Sequence, residues 1–519
     1  MSDRLLIIGW DGADWDIIEN LMERGLLPNV SEMVESGAWG ALRSTIPSHS
    51  WAAWSSFLTG MHPTGHGVFD FVERDALDPQ RRVPVSSHSI QAVTFLERAS
   101  EAGHQVRCAN VPVTFPPIPI AGRMISGVAI PRRASFVYPP DWAAELHRKA
   151  RFPVNGMEWS RFRASPLALI EEAERFVEER TRSFELLLEG EWTIGVCVYV
   201  APDRLQHPFG AYLLPSHPDY DRRSRTELAE RVRAVYRRLD AALGRLRRVS
   251  GRDATVVLMS DHGFRPITRV VNLNVVLAQV GLAGQTASAS AVRALRGSVL
   301  ARLAARTKLG KGLKARFRSP SVLDWSKTVA YSSVTGGGIS LNLRGREVAG
   351  IVDPARYAET RAEVRERLLR FSDDETGEHP IASVATREEL PAGPFADKAP
   401  DLIASPSPLW GFSATHTMGA KTDWPSGAHR QAGIVAAAGG RVTKGELGER
   451  EIIDMAATAL AFAGVPAEGL DGRAIEEISG RPLDEEAGAA PAVARVVTGM
   501  SSQDEDEVTQ HLRDLGYIE

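Results

Sequence analysis

The residue types that bind cations or attack electrophiles recur in this chain beside short apolar runs. Asp261 and His262 follow residues 256–259, a run that reads as a strand buried on both faces, with Gly263 permitting the turn. Asp11 follows the apolar run 5–8, in the turn Gly9-Trp-Asp-Gly12. Asp203 and His207 follow the strand-like run 192–200, and a spacing of four sets both side chains on one face of a helical turn. His429 lies upstream of its apolar run, in a glycine-containing loop, and His416 is a rival candidate for the same place. Open α/β sheets collect ligands at the carboxyl ends of their strands, where carboxylates and imidazoles become natural metal ligands. Asp11, Asp261 and His262 therefore suit one cation, and Asp203, His207 and His429 a second. Oxygen and nitrogen donors without thiolate favour zinc and tolerate manganese or iron. Between the two sets comes Ser50, where a loop passes into a helix carrying Trp51, Trp54, Phe57 and Leu58 at helical spacing. Ser50 or Ser48 could simply cap that helix. Ser50 could also be a nucleophile, helped by the N–H groups and positive dipole end of the helix. Two cations roughly 4 Å apart could ionise its hydroxyl and offset charge on a leaving oxygen, so no organic cofactor is required.

The elements that must position these groups alternate strand and helix from the N-terminus onward, the pattern of an α/β protein with a mostly parallel sheet. The 519 residues, 43% apolar, can bury a large core and suggest several domain-sized units. We read 1–269 as the first part of a catalytic α/β domain, 270–395 as an inserted cap with its own small sheet, 396–480 as the closing part, and 481–519 as an acidic tail ending in a helix. A net charge of -4 and a pI near 6.4 argue against dedicated nucleic-acid binding. Cys108 and Cys197 sit in strand-like apolar runs, as buried thiols of a reducing compartment do. No signal-like opening and no run near the ~18 residues of a membrane span occur, so a cytoplasmic protein is expected. Oligomeric state is not written in these patterns.

Other residues have two readings. His66 reads first as a histidine bonded to backbone and second as a ligand. Asn110 either caps a turn or reaches a phosphate oxygen. Trp51, Trp54 and Phe69 pack beneath the site or stack a nucleobase. Residues 284–318 contain no Asp or Glu and carry nine Lys and Arg. They form a solvated basic helix or a surface that steers an anionic substrate or membrane.

In their order and spacing these motifs resemble the alkaline phosphatase superfamily, and within it the type I phosphodiesterase/nucleotide pyrophosphatase family. The resemblance runs through Gly9-Trp-Asp-Gly12, Ser50 to Thr59-Gly60, Asp203-Arg-Leu-Gln-His207, Ser260-Asp-His-Gly-Phe264, the Gly-x-His loop at His429 and Asp471-Gly-Arg473. It implies a three-layer α/β/α sandwich with an inserted cap. It also implies a small-molecule phosphoester as substrate and Ser50 as both covalent nucleophile and oxygen ligand to the cations. The implied reaction is a double displacement through a phosphoseryl enzyme. Thr45 is the competing nucleophile, because Thr45-Ile-Pro-Ser-His49 resembles the segment in eukaryotic members, but it lies too far from Thr59-Gly60. Ala52 departs from the proline that bacterial members often carry there. Ala52 and Trp54 also replace the Pro and Arg of the sulfatase signature, which sets that branch aside, and no second Ser-Asp arrangement points to a cofactor-independent mutase. A phosphomonoesterase or phosphonate hydrolase would use the same ligands. A non-catalytic binder of anionic ligands is the alternative of another class.

Overall fold

The computed structural model describes residues 3–74, 82–157, 165–285, 323–332, 336–413, 420–422, 426–466, 468–484 and 500–515. Nine strands form the central sheet: β1 Leu5–Trp10, β2 Ala38–Arg43, β3 Val106–Ala109, β4 Gly122–Ile125, β5 Val137–Tyr138, β6 Ile194–Tyr199, β7 Thr255–Met259, β8 Ala432–Ala438 and β9 Gly445–Glu451. Their spatial order is β9-β2-β8-β7-β1-β6-β3-β4-β5. β1 pairs in parallel with β6 and β7, and β3 with β6 and β4. β8 is antiparallel to both β2 and β7, and β5 is antiparallel to β4. β1, β6 and β7 are buried along their whole length, as strands covered on both faces must be.

Alternation along β1 divides the core. Leu6, Ile8 and Trp10 face one layer, which holds helices Trp15–Glu23, Pro166–Leu187 and Glu227–Ser250. Leu5 and Ile7 face the other, with Ser50–Thr59, Phe95–Glu101, Asp454–Ala463 and the terminal helix Ser502–Asp514. This is the expected three-layer sandwich. The terminal helix is capped by Ser501 and buries Val508 and Leu512.

A third apolar cluster, from Val271 to Trp410, surrounds a separate four-stranded sheet. Its strands are Ala330–Tyr331, Gly338–Leu341, Leu402–Pro406 and Ile381–Thr386, flanked by helix Tyr357–Arg370. The basic stretch 284–318 lies outside the described residues after Gln285. Cys108 and Cys197 are buried and free. Among the described residues no helix is long and apolar enough to cross a membrane.

Proline and capping residues set the helix starts between the strands. Pro140–Trp142 and Ala143–Lys149 are short, and Pro166 opens Pro166–Leu187 at a position where its missing N–H costs nothing. Helix Phe95–Glu101 begins where Thr94 and Glu97 form a reciprocal cap.

Candidate active site

The parallel strands end on one edge of the sheet, and that edge gathers the chemistry. Asp11 follows β1, Asp261 and His262 follow β7, and helix Ala201–Leu213 follows β6 with Asp203 in its first turn. His429 stands before β8 because β8 runs the other way, so its amino end meets the carboxyl ends of its neighbours. The loop after β2 leads to helix Ser50–Thr59. His49 is the extended residue that caps this helix, accepting from the Ala52 N–H at 3.5 Å, and Gly60 ends it at φ +68. Neither Ser48 nor Ser50 caps it. Ser50 opens the first turn, 1% exposed.

Ser50 Oγ lies 3.4 Å from Asp11 Oδ1 and 3.3 Å from His262 Nε2. One turn further along the helix, Trp54 donates its indole N–H to Asp11 Oδ2 at 3.1 Å. Asp203 Oδ1 is 3.3 Å from His207 Nε2 and 3.1 Å from His429 Nε2. Asp261 Oδ1 accepts the Gly12 N–H at 3.0 Å, and its Oδ2 is 3.3 Å from His262 Nε2. Two sets, Asp203 with His207 and His429, and Asp11 with Asp203 and His262, each bring their ligand atoms within 4.8 Å of one another. Asp203 thus reaches both sets, although its sequence position assigned it to one.

The protonation pattern fits cations. Nδ1 of His207, His262 and His429 faces the carbonyl of Gly427 at 3.1 Å, Gly263 at 3.2 Å and Ser48 at 3.1 Å. A carbonyl only accepts, so Nδ1 carries the hydrogen and the neutral ring turns a lone pair outward at Nε2. Burial, with His429 beside it, holds His262 well below its ordinary pKa, and burial lowers His207 as well. The Nε2 atoms of His207 and His429 are 3.0 Å apart, and the rings of His262 and His429 stack at 3.7 Å. Lone pairs at that distance, beside a carboxylate oxygen, repel unless a positive charge lies among them. The buried oxygens Asp203 Oδ2 and Asp261 Oδ2 have no hydrogen-bond partner among the described residues. Burial, then Asp261 and Asp203, push Asp11 well above the usual carboxylate range. Burial, opposed by the Gly12 N–H and reinforced by Asp203, brings Asp261 to about 7. Burial would raise Asp203 too, but His207 and His429 hold it well below the usual range.

The remaining candidates fall elsewhere. The Thr45 hydroxyl donates to the Pro47 carbonyl at 2.7 Å and makes no contact with the carboxylates. Buried His66 pairs with Ser56 Oγ at 2.9 Å and accepts the Val68 N–H at 3.2 Å, inside the core. Asn110 donates to the Val198 carbonyl at 2.7 Å, tying β3 to β6. Trp51 and Trp54 are buried packing residues. His416 lies outside the described residues. Sequence reasoning missed the contact of Trp54 with Asp11. A spacing of four from Ser50 was the available signal, but only the fold brings Asp11 against that helix.

The sandwich and the acid and imidazole groups along its strand ends define a protein of the alkaline phosphatase superfamily. More narrowly, the chain belongs to the type I phosphodiesterase/nucleotide pyrophosphatase family, whose model matches residues 5–430. Its fold is similar to that of murine ectonucleotide pyrophosphatase/phosphodiesterase 5, at 13% identity and a TM-score of 0.52, covering 90% of this chain and 97% of that one. An inactive form of the murine protein in complex with AMP aligns at 12% identity and 0.53, covering 92% and 100%. Phosphonoacetate hydrolase from Sinorhizobium meliloti 1021, in complex with phosphonoacetate, aligns at 16% identity and 0.52, covering 84% and 89%. No curated protein matches the sequence.

Proposed function

We propose that this protein is a metal-dependent hydrolase of phosphodiesters or pyrophosphates that works through a phosphorylated Ser50. One observation carries the reading: a buried serine hydroxyl opens a helix within 3.4 Å of Asp11 and His262, beside imidazoles whose lone pairs converge. Asp11, Asp261 and His262 would hold one divalent cation and Asp203, His207 and His429 the other, with the ligand atoms of Asp203 also within reach of those of Asp11 and His262. Zinc suits these donors first, and manganese or iron can replace it. Bound there, the cations supply Lewis-acid stabilisation of phosphoryl oxygens and ease ionisation of a hydroxyl.

The chain's own residues do the rest. Ser50 Oγ forms a bond to phosphorus in line with the oxygen that leaves, and water then displaces Ser50 from the phosphoseryl enzyme. The positive dipole end of helix Ser50–Thr59 favours the phosphoryl anion. Trp54 fixes Asp11. The segment 270–395 serves as an inserted cap that supplies substrate contacts. A Cβ built on Gly336 would stand 3.3 Å from the ring of His49, which caps the Ser50 helix, and this supports that placement of the segment.

The test compares bis(p-nitrophenyl) phosphate, a dinucleotide pyrophosphate, p-nitrophenyl phosphate and phosphonoacetate, with metal content measured on the same sample. Turnover of the diester or pyrophosphate above the others is expected. Preference for the monoester or the phosphonate would reassign the substrate, and no bound metal with no turnover would leave only a binding protein.

A further inference from the structure

Asp14 is 0% exposed and belongs to no set of ligands, yet its carboxylate joins three separated segments of the site. Oδ1 accepts the Asp16 N–H at 2.9 Å, capping the helix that follows the Asp11 turn. Oδ2 accepts the Phe264 N–H at 2.8 Å, two residues beyond His262. Arg430, the neighbour of His429, grips both oxygens, Nε to Oδ2 and Nη2 to Oδ1, each at 2.6 Å. The chain makes room for this carboxylate. A Cβ built on Gly263 would stand 2.4 Å from Asp14 Oδ2 and 1.9 Å from the Ala432 carbonyl. The glycine after Asp261-His262 is therefore needed for close approach; it opens the strand Gly263–Val271 rather than a turn of positive φ.

We infer that Asp14 is a positioning residue that holds the backbones of Asp11, His262 and His429 in the register at which they share cations. It acts through Phe264 and Arg430 without touching substrate, and the inference rests on the functional reading above. Two parallel N–H···O bonds from a guanidinium fix distance and orientation together, which a single contact does not. Without Asp14, the strand Gly427–Arg430 keeps its ladder to residues 263–266, and its tie to the segment after β1 falls back on the single 3.3 Å pairing of Arg430 with the partly exposed carboxylate of Asp16. Each imidazole then retains its backbone partner while the distances between Asp11, His262 and His429 are no longer set.

The experiment is zinc affinity of chelator-stripped protein, by competition with a chromophoric chelator, for the wild type, Asp14→Asn, Arg430→Lys and the control Arg346→Lys. Arg346 pairs with buried Asp401 in the small sheet, so the control disrupts a comparable ion pair that touches none of the proposed ligands. Asp14→Asn keeps the shape and one cap acceptor, and Arg430→Lys keeps the charge but not the two-point grip. The expected result is zinc affinity weakened at least about tenfold in both site variants and unchanged in the control. If Asp14→Asn does not fold, Arg430→Lys decides alone. Affinity within twofold of wild type in a folded Arg430→Lys protein would overturn the inference. An equal loss in the control would overturn it too, by reducing the effect to general destabilisation. Wild-type protein that binds no zinc would instead sink the functional reading on which it rests.

Discussion

Replacing Ser50 with alanine separates chemistry from architecture. The hydroxyl's two contacts, at 3.4 Å to Asp11 and 3.3 Å to His262, are longer than the roughly 2.5–3.0 Å of a good O–H···O bond. Losing them should cost less than about 1 kcal/mol of stability, which in a chain this long lowers Tm by no more than about 2 °C. The six carboxylate and imidazole groups proposed as ligands remain, so metal content should stay at the wild-type level. Turnover should nevertheless fall at least about 10³-fold, because Thr45, the nearest rival, points its hydroxyl at the Pro47 carbonyl. The assay is kcat on bis(p-nitrophenyl) phosphate, with Tm, metal content and mass spectrometry of acid-quenched protein for phosphate on the Ser50 peptide. Thr45→Val is the companion, expected to lose about 1 kcal/mol for its buried hydrogen bond and little turnover. A Ser50→Ala enzyme within about tenfold of wild type would refute the reasoning, and collapse of activity in Thr45→Val alone would transfer the role.

Treatment with a chelator should abolish turnover and lower Tm, and Zn²⁺ or Mn²⁺ should restore both; a Tm identical with and without metal would contradict a site built on buried donors. His429→Ala, which opens the space between Asp203 and His207, should weaken zinc binding more than Ser50→Ala does, by the same chelator competition. Burial, with His62 adding to it, lowers His66 from 6.5 to about 3, so the fold favours its neutral form. That contribution is complete above pH 6.5 and is lost as pH falls from there towards 3; acid unfolding followed by circular dichroism should begin at a lower pH in a folded His66→Gln variant. Gly263→Ala should destabilise far more than Ser50→Ala, since its Cβ would meet the Ala432 carbonyl at 1.9 Å, and thermal unfolding of the two side by side checks this.

Residue type and order alone determined which groups could do chemistry here and which architecture carries them. Apolar runs too short and too uncharged for anything but buried strands put Asp11, Asp203, Asp261 and His262 at strand ends. The four-residue step from Asp203 to His207 was legible because helical geometry is local. What a one-dimensional pattern could not supply was direction and distance. His429 precedes its strand because β8 is antiparallel, a fact about pairing between segments far apart in the chain. The sharing of Asp203 between both ligand sets, the indole of Trp54 on Asp11 and the grip of Arg430 on Asp14 are likewise decisions of tertiary structure. Asp14 reads locally as a helix cap, which it is. Only packing, with desolvation raising the cost of leaving any buried donor or acceptor unmatched, also makes it the point where three segments of the site are joined.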